Sequence, residues 1–89
     1  MKVLDVLTDE SRWVKSDFGC PGSPRCLGGA MTEIGVALPG WTRMEEAIEA
    51  LFPERCRDDP TSVFRIVDFN NHPDTTFEDV RRVVKFADV

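Results

Sequence analysis

Apolar residues in this chain recur mostly at intervals of three and four, the spacing that stacks side chains on one face of an α-helix. From Lys2 to about Glu10 this places Val3, Leu4 and Leu7 together and predicts a short first helix, onto which Trp13 and Val14 fold back. Residues 16–25 hold two Pro and two Gly, the density of a structured loop, and Ser23 before Pro24 has the form of an N-cap with a first-turn proline. Leu27, Ala30, Met31, Ile34 and Leu38 then share one face of a second helix. Gly28 and Gly29 within it would each cost about 1 kcal/mol relative to Ala, which suits a place where another backbone comes close.

Pro39 and Gly40 read as a break, and Thr42 with Glu45 three positions later forms a capping-box pattern. Behind it Met44, Ala47, Ile48, Leu51 and Phe52 lie within one arc, with Arg43, Glu45, Glu46 and Glu49 outside it, and Pro53 ends the helix. Asp59 before Pro60 repeats the N-cap and proline pattern and opens a stretch in which Val63, Ile66, Val67 and Asn70 keep helical spacing. This run is rich in β-branched and aromatic residues, so a strand competes with the helix that the spacing favours. Asn70 to Asp74 read as a turn, since Asn and Asp bond their own backbone and the residue before Pro avoids helical geometry. A last helix follows, capped by Thr75 with Glu78 or by Thr76 with Asp79, burying Phe77, Val80, Val83, Val84 and Ala87 and leaving Arg81, Arg82 and Lys85 outside.

The expected architecture is therefore all-α, a single domain over residues 1–89 with four to five short helices around one core. Leu7, Trp13, Leu27, Met31, Ile34, Met44, Ile48, Leu51, Ile66, Val67, Phe77, Val80 and Val84 are its expected interior. A length of 89 residues agrees with one core, because chains divide only well beyond this size.

Charge narrows the partners. The chain carries 11 basic and 16 acidic residues, a net of −5, and residues 41–60 alone contribute −3 through Glu45, Glu46, Glu49, Glu54, Asp58 and Asp59 against Arg43, Arg55 and Arg57. A duplex-binding protein neutralises phosphates with clustered Lys and Arg, and that footprint is missing, so neither nucleic acid nor an anionic membrane is expected. The last helix is no better suited, since Glu78 and Asp79 occupy the start where a phosphate would bind. No apolar run approaches the ~20 residues of a membrane span, and Lys2 and Asp5 interrupt any signal-peptide core, so a cytoplasmic protein is expected.

Three cysteines, Cys20, Cys26 and Cys56, cannot all pair, which agrees with a reducing compartment. With His72 they equal the ligand count of a Cys₃His zinc site, the alternative function that the composition offers. The spacing is poor for it: five residues separate Cys20 from Cys26, and Cys56 and His72 stand alone. A thiol activity pairing Cys26 at a helix start with His72 as base lacks any local motif that joins them. Gly28 and Gly29 have no phosphate-loop context, and Glu45 and Glu46 splay by about 100° on a helix rather than converging. No catalytic residue, cofactor or metal is expected, and no enzyme class is supported.

Residues Asp68 to Ala87, with Phe69, Asn70, Asn71, His72, Pro73, Asp74, Thr75, Thr76, Phe77 and Val80, carry an aromatic and amide pair before a proline turn and a Thr-capped, Val-containing helix. Upstream stand Trp13 and the run Cys26, Leu27, Gly28, Gly29, Ala30. Together these resemble the motifs of a family of small uncharacterised proteins from actinobacteria and their bacteriophages, although Phe69 and Asn71 stand where that family tends to have Trp and Asp. The resemblance implies a helical fold and a bacterial or phage origin.

The remaining functional clue is apolar surplus. Phe86 lies roughly 120° from the centre of the last helix's apolar arc, and Trp41, next to an N-cap at Thr42, would have no staple partner at Glu46. Exposed aromatics of this kind are enriched in binding hot spots. The expectation is a non-enzymatic interaction module, a phage-encoded accessory that binds a host bacterial protein through Trp41, Phe86 and the acidic strip of Glu45, Glu46 and Glu49.

Overall fold

The computed structural model describes residues 1–15, 24–55 and 62–89. Five α-helices lie within them: α1 (Val3–Val6), α2 (Leu27–Glu33), α3 (Leu38–Leu51), α4 (Ser62–Asn71) and α5 (Phe77–Ala87). Short 3-10 turns cover Glu10–Arg12 and Pro53–Arg55. No strand occurs among the described residues, and the only sheet-like pairing there is an isolated bridge between Trp13 and Arg25. The chain is all-helical, as its spacing predicts, and residues 62–71 take the helix rather than the competing strand.

Several boundaries differ from the sequence expectation, each for a local reason. Helix α1 stops at Val6 instead of reaching Glu10, because the Asp9 carboxylate accepts from the Ser11 N–H at 2.9 Å and starts a separate 3-10 turn. Helix α2 begins at Leu27, with Cys26 as N-cap accepting from the Gly29 N–H at 3.2 Å, so Pro24 precedes the helix instead of opening it. The expected N-caps at Ser23 and at Asp59 with Pro60, and the side chain of Val63, lie outside the described residues.

Leu38 does not extend α2. Gly35 adopts φ +69°, and its N–H and that of Val36 close on Thr32 and Met31 carbonyls at 3.1 Å, the bonding of a Schellman end. Helix α3 then starts at Leu38 with Pro39 in its first turn, where a missing N–H costs nothing, so Pro39 and Gly40 open the helix rather than breaking the chain before it. The capping-box pattern at Thr42 goes unused, and its hydroxyl donates instead to the Leu38 carbonyl at 3.3 Å inside the helix. Gly40 suits this place, since a Cβ there would collide with Cγ1 of Val36.

Helix α3 is central and packs against both α4 and α5, while α2 leans on α4 and α1 on α2 and α5. Leu7, Leu27, Met31, Met44, Ile48, Ile66, Val80 and Val84 are buried as expected, with Trp13, Ile34, Leu51 and Phe77 half-buried against them. Val67 is a correction: α4 turns Ile66, Phe69 and Asn70 inward and leaves Val67 half-buried outside the core cluster. Phe69 instead stacks on Phe52 with ring centroids 5.5 Å apart.

Helix α5 uses the Thr76 register of its two possible caps. The Asp79 N–H donates to the Thr76 hydroxyl at 3.3 Å, and the Thr76 N–H donates back to the Asp79 carboxylate at 3.2 Å. Arg55 adds an ion pair to the same carboxylate, tying the end of α3 to the start of α5. At the other end Asp88 takes a left-handed conformation, and Val89 buries its side chain while accepting from the Val3 N–H at 3.0 Å.

Partial burial alone would raise the pKa of Asp79, but the Arg55 guanidinium and the Thr76 donors outweigh it and hold the carboxyl below the ordinary 3.8. A lowered folded-state pKa contributes stability that is present above the unfolded value and lost as pH falls through the folded one. Asp79→Asn is expected to lose stability at pH 7 and to show a shallower further loss than wild type below about pH 4. Urea midpoints measured from pH 7 to pH 2 check this, and parallel curves for the two proteins would refute it.

Candidate functional site

The residues that carry the family resemblance come together around the buried amide of Asn70. Its Oδ1 accepts from Trp13 Nε1 at 2.6 Å and from the Leu27 N–H at 3.0 Å, and its Nδ2 donates to the Val14 carbonyl at 3.2 Å and to Asn71 Oδ1 at 3.0 Å. One side chain on α4 thus holds the Trp13–Val14 segment and the start of α2, two places that are 57 and 43 residues away in sequence. Lys15 closes the outer side, donating to the His72 carbonyl at 2.6 Å with its ammonium 5.8 Å from the Trp13 ring centre. Trp13 in turn packs against Phe77 at 6.1 Å.

The zinc and thiol candidates divide between described and undescribed parts of the chain. Cys26 is buried at the α2 N-cap, and His72 is half-buried in the turn after α4, its Nδ1 accepting from the Asp74 N–H at 3.1 Å. Cys20 and Cys56 lie outside the described residues. Among the described residues no three His, Cys, Asp or Glu side chains form a group able to hold a metal ion, and no helix is long and apolar enough to cross a membrane.

The expected protein-binding residues separate into two kinds. Trp41 is not beside an N-cap: it lies within the first turn of α3, half-buried against the core, and donates from Nε1 to the Val36 carbonyl at 2.9 Å. Glu45 and Glu49 are both held by Arg65 of α4, at 3.1 Å each, so two of the three strip carboxylates serve the α3–α4 contact while Glu46 faces outward. Phe86 is the one that stands free of the interior, 60% exposed on the outer side of α5.

Two clefts that the sequence gives no sign of flank the end of α5. One, of about 300 Å³, is lined by Lys2, Leu4, Val84, Lys85, Asp88 and Val89. The other, of similar volume, runs between the Gly35–Pro39 turn and the chain ends and shares Lys2, Asp88 and Val89 with the first. Lys2 Nζ lies 2.9 Å from Asp88 Oδ1, and this contact holds the Asp88 carboxyl below its usual range. Met1, 88% exposed, adds apolar surface to the second cleft.

Asn70→Ala is expected to cost about 2–4 kcal/mol, because the Trp13 indole N–H and the Leu27 N–H each lose a buried acceptor. Equilibrium urea unfolding checks it, and a loss under 1 kcal/mol would show that water or rearrangement replaces the amide. The two aromatics are expected to behave oppositely: Trp41→Ala should cost about 2 kcal/mol through lost packing and its hydrogen bond, and Phe86→Ala should stay within about 0.5 kcal/mol. Thermal unfolding of both variants decides it, and equal destabilisation would place Phe86 in the core.

No curated protein and no solved structure matches this chain. The geometry instead gives physical content to the pattern of Trp13, the Cys26–Ala30 run and Asn70 at the end of α4, which the fold joins in one hydrogen-bonded junction. A match over residues 1–88, nearly its whole length, places the chain in the family of unknown function DUF6197, to which it belongs.

Proposed function

We propose that this protein is a non-enzymatic interaction module, a phage-encoded accessory that acts in the bacterial cytoplasm by binding a host protein. The observation that carries the reading is Phe86, left 60% exposed on a helix that otherwise turns its apolar residues inward. Removing an aromatic of this size from water is strongly favourable, and residues that provide such anchors dominate binding energies in protein interfaces. Trp41 serves the fold, fixing the Val36 turn to α3. Glu46 supplies the outward charge of the acidic strip, and Glu45 and Glu49 hold α3 against α4 through Arg65. The host and phage assignment rests on the motif resemblance alone.

The test is affinity capture from an actinobacterial lysate with the intact protein as bait, compared with Phe86→Ala. A partner recovered by wild type should be depleted at least about fivefold with the variant, the effect of losing a residue worth 1 kcal/mol or more. Recovery that does not change between the two baits would sink the reading. Charge reversal at Glu46 is the control that separates an aromatic anchor from an electrostatic one, because its effect alone should fade in high salt.

A further inference from the structure

The charge on the outer face of α5 is opposite to that of the chain. Lys2 pairs with Asp88, and Arg81 Nη1 lies 3.2 Å from Glu78 Oε2, so these four charges cancel. Arg82 and Lys85 are exposed and leave a local net of +2 on a protein of net −5. On α3 the single charge of Arg65 is shared by Glu45 and Glu49, so the strip of Glu45, Glu46 and Glu49 keeps a net of −2 against it. Arg82 and Lys85 thus place exposed positive charge on the helix that carries the exposed aromatic.

The helical repeat of about 100° per residue orders this face. Lys85 and Asp88 line the cleft flank of α5, Phe86 projects about 100° further round from Lys85, and Arg82, one turn earlier between them, is exposed with its guanidinium over the Phe52 ring at 5.4 Å. The cleft floor of Leu4, Val84 and Val89 is apolar. A segment lying across α5 would meet an apolar cleft, two cations and an aromatic ring in succession.

We infer that this face takes an acidic amphipathic segment of a partner protein, with an apolar residue seated in the Leu4–Val84–Val89 cleft, another against Phe86, and carboxylates on Arg82 and Lys85. The inference rests on the reading of Phe86 as a docking anchor and names the chemistry of its partner. A basic segment would leave Arg82 and Lys85 facing like charge, which costs binding energy and slows encounter. Aliphatic side chains with interspersed carboxylates match both features of the surface at once.

The probe is a synthetic peptide of about four helical turns, with Leu at i, i+3, i+4 and i+7 and Glu elsewhere, beside a counterpart carrying Lys for Glu. Each is titrated into the isotope-labelled full chain and followed by amide chemical shifts. The Glu peptide should give saturable shifts centred on Leu4 and on residues 82–89. Its affinity should fall about fivefold or more for Phe86→Ala and for Lys85→Glu, and should weaken for wild type in about 0.5 M salt. The same spectra show that each variant is folded. Absence of saturable binding, equal binding of the Lys peptide, or shifts centred on Arg65, Glu45 and Glu49 would overturn the inference. Binding of the Lys peptide through Phe86 would remove the acidic assignment and leave the docking reading standing. Glu-peptide binding as expected, with no Phe86-dependent partner in the lysate, would do the converse.

Discussion

One carboxamide joins three segments of this fold that are far apart in sequence. Helices of four, seven and ten residues are too short to persist in water alone, and the start of α2 follows a long connection from Trp13. Asn70 resolves both difficulties because an amide offers two acceptor sites and two donors from a single buried position. It takes the Trp13 indole and the Leu27 N–H on its oxygen and serves Val14 and Asn71 from its nitrogen. Each bond is modest in net worth, but leaving any of these groups buried and unmade is expensive. The junction therefore fixes where α2 begins and how the Trp13 segment lies against α4, and the apolar core closes over that arrangement.

Much of the fold was legible because helical spacing is a local property. The α5 arc, the end of α3 at Pro53 and the choice of helix over strand for residues 62–71 all follow from residues within a turn or two of one another. Helix starts were less legible, since capping signals compete. Thr42 with Glu45 and Thr76 with Asp79 have equivalent patterns, yet only the second is used, because starting α3 at Leu38 lets Gly40 pass beside Val36 and Val89. Phe69 was visible only as part of a family motif, and its place in the core depends on Phe52, on another helix. The spacing of Val63, Ile66, Val67 and Asn70 put Asn70 in register with apolar positions, but it could not name the partners on Trp13, Val14 and Leu27, which are distant in sequence.

The candidate surface shows the same division. That Phe86 falls outside the apolar arc is evident from the repeat of one helix, and its exposure follows. Trp41 could not be placed by such reasoning, because its partner carbonyl at Val36 becomes available only after Gly35 turns the chain. The acidic strip looked like a free surface since its neutralising cation, Arg65, lies on the next helix. Pairing between helices, which charge along the sequence does not record, decides which of these carboxylates face solvent.

The bond between the Val3 N–H and the Val89 carbonyl closes almost the entire chain into a ring of contacts. Bringing such distant residues together carries a loop-closure cost that grows with the length of chain enclosed, and little else than α1 and Val89 offsets it at this seam. Both clefts beside α5 are walled in part by Lys2 and Val89, so their shape is tied to this seam. Opening of the seam, a local event far smaller than global unfolding, is enough to reshape the floor of the surface next to Phe86.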